Sequence, residues 1–148
     1  VTLAFLPQTR AAAATARATR GFQSGQHCFG VKVGVASDCC FVGLVSSQWS
    51  PSGEALGRAA DSWAVASDGS VWARGRELER LPIRFAEEST VVFVLELRSP
   101  PGLRTATAYV DGQRFEHVFT DLPDTVYPAA SNWRMPAQYQ LICDLPAE

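Results

Sequence analysis

Short β-rich runs separated by turn signals fill this sequence, and no segment of it predicts a long helix. Asp-Gly pairs at positions 68–69 and 111–112 each stand between two apolar runs, which is typical of tight β-hairpins. The run at 90–97 is apolar on both faces at its start and predicts a buried central strand. Roughly eight to eleven such strands predict an all-β fold, a two-layer antiparallel β-sandwich.

The other elements follow from the same alternation and turn chemistry. The predicted strands are 1–6, 28–35, 41–45, 62–65, 70–72, 90–97, 105–110, 114–119, 126–130 and 139–143. Because only a short turn separates 28–35 from 41–45, we expect these two strands to form a hairpin. The Ala-rich stretch at 10–20 has no apolar stripe, so we expect a surface loop with at most one helical turn. Residues 47–60 and 131–136 are also expected to be loops.

The length and net charge of the chain limit the number of domains and the classes of binding partner. A chain of 148 residues predicts one domain, here 1–148, and the absence of an initiator Met suggests that it is excised from a longer protein. The net charge of −2 supplies no field that would attract nucleic acid or an anionic membrane surface, so we expect neither as a partner. No apolar stretch approaches the ~18 residues of a transmembrane helix.

Neither a metal site nor a catalytic centre is predicted. The four cysteines include no C-x-x-C pair and only two histidines accompany them, so we expect buried thiols, an intracellular location, no metal and no cofactor. Glu77 and Glu79 would share one face of a strand, as a glycosidase pair could, but neighbouring arginines favour a solvated charge cluster. His27 and His117 each stand alone. We expect no enzyme and no small-molecule substrate.

The order of several motifs resembles that of SPRY domains of the B30.2/SPRY superfamily. The segments that carry the likeness are SGQHCFGVKV at 24–33, VGVA at 33–36, DSWAV at 61–65, VVFVLEL at 91–97, AYVDGQ at 108–113 and VYPAAS at 126–131. Gly30 and Glu96 depart from the family pattern, which more often has an acidic residue and Asp at these positions. The likeness covers residues 20–145 and is greatest to the SPRY domains of SOCS-box adaptor proteins.

The resemblance implies a fold and a function. The fold would be a concanavalin-like jelly roll of two stacked antiparallel sheets. The function would be non-enzymatic docking of a short peptide or loop of a partner protein. The domain would act as the recognition part of a larger assembly, such as a ubiquitin ligase or scaffold. Carried over residue by residue, the partner-binding positions are Pro7, Thr9, Ala11, Trp49, Ser52, Asn132 and Trp133.

The residue types alone point to part of the same site. Trp133 stands beside Asn132 and Arg134 in a predicted loop, and Trp and Arg are enriched at binding hot spots. The alternative is that Trp133 folds back as a lid on the core. Trp49 lies in a polar stretch, which favours a binding role equally with a structural one. The aromatic residues expected in the core are Phe29, Trp63, Trp72, Phe93, Tyr109 and Phe119.

Two other functions stay open at this point. The chain could be a structural domain with no peptide site of its own. It could also be a lectin-like sandwich, because folds of this class bind sugars as well as proteins. The single asparagine and the absence of an Asp-rich loop near it argue against a calcium-dependent sugar site.

Overall fold

The computed structural model describes residues 2–5, 13–33, 40–50, 55–86, 88–98, 104–133 and 137–143, with side chains at 17–33, 40–50, 55–86, 88–98, 104–131 and 140. Twelve strands lie within these ranges. They are β1 (Thr2–Phe5), β2 (Ala13–Arg17), β3 (Gly25–Val33), β4 (Cys40–Ser46), β5 (Ser62–Ala66), β6 (Ser70–Ala73), β7 (Arg76–Arg80), β8 (Thr90–Leu97), β9 (Arg104–Val110), β10 (Gln113–Phe119), β11 (Val126–Trp133) and β12 (Ala137–Cys143).

The strands form two six-stranded antiparallel sheets. The first sheet has the order β1-β12-β3-β8-β9-β10 and the second has the order β2-β11-β4-β5-β6-β7. The predicted two-layer, all-β architecture is therefore confirmed. One edge of each sheet is an N-terminal strand, β1 or β2, and each lies beside one of the two C-terminal strands.

The core lies between the sheets. In β8 every second residue is buried, which gives this central strand one inner and one outer face. Phe93 lies on the inner face, with its ring centroid 5.4 Å from that of Phe29 and 5.6 Å from that of Phe119. All three rings are completely buried, and Trp63 is also in this core, as the sequence predicts.

A second apolar cluster covers the outer face of the second sheet. We call it the outer cluster; its buried members are Phe41, Val45, Ala55, Leu56, Ala64, Ala66 and Ala129. The chain after β4 returns across this face, because Ala55 and Leu56 come from the connection and the others from the sheet or its ends. Gly57 fits there with a φ of 85°, and a Cβ on it would lie 2.6 Å from Cβ of Trp72. Only glycine suits so close an approach.

Three predicted elements are wrong. Strands β3 and β4 are not a hairpin: β3 pairs with β8 and β12, whereas β4 pairs with β5 and β11 in the other sheet. The stretch at 10–20 contains strand β2, and the predicted loop at 131–136 begins with three residues of β11. In each case a distant strand supplies the hydrogen-bond partners, and local sequence does not encode that partner.

Three side-chain predictions also need correction. Trp72 and Tyr109 are only half-buried, and each lies on the outer face of its sheet. A bulge in β7 pairs Glu77 with Trp72 and Glu79 with Val71, two neighbours that face opposite ways, so the two carboxylates do not share a face. The charge cluster is nevertheless solvated as expected, because every residue of β7 is exposed.

The connection between β5 and β6 predicts a measurable pH dependence. The carboxylate of Asp68 accepts hydrogen bonds from the backbone N–H and hydroxyl of Ser70 at 2.9 and 2.6 Å, and one from Arg80 at 3.2 Å. Partial burial alone would raise the pKa of Asp68, but these hydrogen bonds and the charge of Arg80 outweigh it and lower the pKa. The ionised carboxylate of Asp68 is thus stabilised more in the folded state than in the unfolded one.

Asp68→Asn is therefore expected to flatten the acid limb of the stability curve. A lowered folded pKa stabilises the protein above the unfolded value of about 3.9, and this stabilisation is lost as the pH falls through the folded pKa. Because the Asp68 side chain is about half exposed, the effect is small. Urea unfolding of both proteins between about pH 2 and 7 measures it. Parallel curves below about pH 4 would contradict it.

Candidate functional site

Strand registers bring two of the predicted segments to one end of the sandwich. The last residue of β1, Phe5, is paired with Ala137, and the first residue of β2, Ala13, is paired with Trp133. The connections at 6–12 and 134–136 therefore leave the sheets from neighbouring positions. Pro7, Thr9 and Ala11 lie in the first connection, outside the described residues. This connection starts beside the first residue of β12 and finishes beside the last residue of β11.

Asn132 and Trp133 lie in strand β11 rather than in a loop. Asn132 is paired with Ala14 of β2 on one side and with Cys40 of β4 on the other. Within the described part of the chain, Trp133 is paired with Ala13 alone. The sheet thus fixes the backbone of both residues at the end of the sandwich.

Trp49 follows β4 at the end of the second sheet that is opposite to Asn132. Ser46, the last residue of β4, is paired with Val126, whereas the first residue, Cys40, is paired with Asn132. The two ends are six residue steps apart along the strand, a distance of about 20 Å. Trp49 follows Ser46 in a turn and packs half-buried against the outer cluster. The structure therefore does not place the backbone of Trp49 beside Trp133.

The connection that carries Trp49 nevertheless returns over the sheet. Ala55 and Leu56 belong to the same outer cluster as Phe41, and Phe41 is paired with Ser131, next to Asn132. Ser52 lies between Trp49 and Ala55, in a part of the connection outside the described residues.

The sequence interpretation missed an aromatic residue on this face. Tyr127 packs half-buried against the outer cluster, as Trp49 does. The guanidinium of Arg17, on the edge strand β2, lies 4.0 Å from the centroid of the Tyr127 ring. The segment VYPAAS contains Tyr127, but only the pairing of β2 with β11 brings Arg17 to it. Because Tyr127 is paired with Val45, this cation–π pair lies toward the Ser46 end of β4, as Trp49 does, and not at the Trp133 end.

The two histidines have different surroundings. The His27 ring stacks on Phe22 at 4.5 Å, and its Nε2 lies 2.6 Å from the carbonyl oxygen of Ser24, so its contacts are structural. His117 lies at an irregularity of β10 on the outer face of the first sheet. Among the residues that the structure describes, no three His, Cys, Asp or Glu side chains come together as metal ligands. The same residues contain no helix with the length and apolarity to span a membrane.

Comparison with solved structures identifies the fold. The SPRY domain of human HERC1 superposes with a TM-score of 0.74 at 16% identity, covering 93% of this chain and 86% of that one. A human SPRY domain gives a TM-score of 0.78 at 16% identity, with coverages of 99% and 93%. The TRIM65 PSpry domain gives 0.59 at 20% identity, with coverages of 89% and 71%. No protein-family model and no curated protein matches the sequence. The chain has the fold of SPRY domains.

Proposed function

We propose that this domain is a non-enzymatic protein-interaction module that docks a short segment of a partner protein at the end of the sandwich where β2 and β11 meet. The observation that carries the proposal is the register Phe5–Ala137 together with Ala13–Trp133. The connection that contains Pro7, Thr9 and Ala11 thus has one end beside Ala137 and the other beside Trp133, which supports its part in the proposed surface. The SPRY fold and the sequence resemblance both agree with this kind of function.

The chemistry of these residues suits an extended peptide. Asn132 offers both a donor and an acceptor to a peptide backbone, and Trp133 offers a large apolar side chain of the type enriched at hot spots. Ser52, in the connection that returns over the sheet, is included in the proposed surface, whereas the backbone of Trp49 starts at the opposite end of β4. We favour a role in a larger assembly, of which the SOCS-box adaptor type is one form.

Part of this proposal is an intracellular location. Cys28 is a buried free thiol. Buried free thiols are common in reducing compartments, whereas small secreted domains use their cysteines in disulfides. Expression of the tagged full-length protein, followed by fractionation, would test this location directly.

Trp133→Ala is expected to weaken the binding of a selected peptide roughly 30-fold, the cost of losing a hot spot of about 2 kcal/mol. The screen presents a random peptide library to the wild-type chain and to the variant. Thermal unfolding of the variant should shift by less than about 4 °C, since an anchor on the surface contributes little to folding.

Trp72→Ala is the matched control. Trp72 is a half-buried tryptophan of the same sheet, with Arg58 4.8 Å above its ring and its indole N–H donating to Ser70. Its loss should lower the melting temperature and leave peptide affinity unchanged. The opposite pattern at Trp133, lost stability with intact affinity, would make that residue a core lid. A folded wild-type chain that selects no peptide would favour the purely structural domain.

A further inference from the structure

A groove runs across the outer face of the first sheet, away from the proposed docking end. Its volume is about 730 Å³, and β3, β8, β9 and β10 line it. That volume lies within the range of about 300–1,000 Å³ that is common for small-ligand sites. The face lacks a covering element among the described residues, whereas the opposite outer face carries the outer cluster.

The floor of the groove combines apolar groups with hydroxyls. Strand pairing aligns Cys28, Val94 and Thr107 in one row and Val92 with Tyr109 in the next. Val92, Val94 and Tyr109 are only half-buried, so their apolar surfaces face the groove. Burial raises the pKa of the Cys28 thiol, which therefore stays neutral at physiological pH and acts as part of the apolar floor.

A bulge in β10 builds one wall. Phe115 is paired with Ala108 and Phe119 with Ala106, so three residues of β10 lie opposite one residue of β9. His117, in the middle of this bulge, has a φ of 51°, which is rare for a residue other than glycine. Its backbone N–H donates to the hydroxyl of Thr107 at 3.3 Å. Bulges redirect side chains, and here Glu116 and His117 both line the groove.

The charged groups of the lining already have partners. Arg114 lies 2.9 Å from Glu116. Glu96 lies 3.1 Å from Arg98 at the other end of the groove. A phosphate or carboxylate ligand would have to compete with these ion pairs. The groove therefore favours a ligand without formal charge.

The strand arrangement also disfavours an extended peptide. Strands β3, β8 and β9 lie inside the sheet, so their backbone N–H and C=O groups are used in pairing with neighbouring strands. The bulge interrupts the regular edge that β10 would otherwise offer to an added strand. Recognition in the groove must use side-chain groups such as the hydroxyls of Thr90, Thr105 and Tyr109.

We propose that this groove binds a neutral carbohydrate. Several hydroxyl groups on the ligand match the threonine and tyrosine hydroxyls, and its C–H faces match Val92, Val94 and the Tyr109 ring. This site is separate from the peptide surface and does not depend on it.

The test uses the full chain labelled with ¹⁵N and a panel of uncharged gluco-, galacto- and manno-configured oligosaccharides. Binding should shift the backbone amides of β8 and β9. Thr105→Val, which removes one hydroxyl with little change of shape, should weaken binding about tenfold. Val94→Trp, which fills the groove, should abolish it. Thr125→Val, which removes a hydroxyl away from the groove, should have no effect, and Trp133→Ala should leave saccharide binding intact.

Four results would overturn the proposal. One is the absence of amide shifts with every neutral saccharide at millimolar concentration. Another is saccharide binding that persists in a folded Val94→Trp variant. The third is binding of sulfated saccharides or inorganic phosphate alone, because that would show a charged ligand. Peptide selection that is lost in Val94→Trp and kept in Trp133→Ala would assign the groove to a peptide and also contradict it.

Discussion

Arg104→Met is expected to lower the free energy of unfolding by roughly 3 kcal/mol. Arg104 is 6% exposed, and its guanidinium donates to four backbone carbonyls. Nε lies 3.1 Å from the oxygen of Leu122 and 2.9 Å from that of Pro123. Nη2 lies 3.0 Å from the oxygen of Gln23 and 2.9 Å from that of Asp124. One side chain thus ties the connection before β11 to the start of β3.

The sign of this prediction depends on two opposing effects. Burying a cation without a carboxylate partner costs desolvation energy, and Met would remove that cost. The four carbonyls would however lose charge-assisted donors, and each buried group left unpaired costs about 1–3 kcal/mol. The loss of four such bonds outweighs the gain. Urea unfolding measures the result, with the midpoint and slope analysed separately.

Arg98→Met is the matched control for Arg104. Arg98 follows β8 at the same end of the first sheet, but it is exposed and forms an ion pair with Glu96 on the surface. Exposed pairs contribute about 0–1 kcal/mol, so this variant should unfold close to the wild type. Equal effects of the two substitutions would show that Arg104 is not the structural tie that its contacts indicate.

Phe93→Ala is expected to cost about 3–5 kcal/mol, the range for deleting a fully buried phenylalanine. Phe93 stands between Phe29 and Phe119 in the centre of the core, so its removal leaves a cavity lined by two aromatic rings. Total stabilities of domains are about 5–15 kcal/mol, so this single change consumes a large share. Thermal and urea unfolding should both show it.

The neighbouring residue provides the comparison for Phe93. Val92 is half-buried and lines the groove on the outer face of the same strand. Val92→Ala should therefore cost about 1 kcal/mol, because little core volume is lost. A loss at Val92 equal to that at Phe93 would mean that β8 does not present one inner and one outer face.

The sequence predicts the turns and buried positions that depend on neighbouring residues in the chain. At 111–112 both residues have positive φ, 49° and 87°, and Val110 is paired with Gln113. This is the two-residue turn that Asp-Gly favours between strands. The burial of Phe29, Phe93 and Phe119 likewise follows from alternation along their strands.

The misassigned elements depend on distant partners. Strand β2 is Ala-Ala-Thr-Ala-Arg, a sequence without β-branched or aromatic runs, and it is a strand because β11 pairs with it. The bulge at His117 is equally hidden, since 114–119 reads as an ordinary alternating strand. The groove therefore could not be predicted from the sequence, whereas Asn132 and Trp133 could be named from their residue types and the family resemblance.

The central claim is that a peptide docks where β2 and β11 meet, and the location of binding tests it most directly. A peptide selected on the wild-type chain is titrated into ¹⁵N-labelled protein, and amide shifts are recorded. The account predicts the largest shifts at 13–15, 40–42 and 131–133, together with the indole N–H of Trp133. Shifts confined to β8 and β9, or to the exposed edge strand β7, would contradict it.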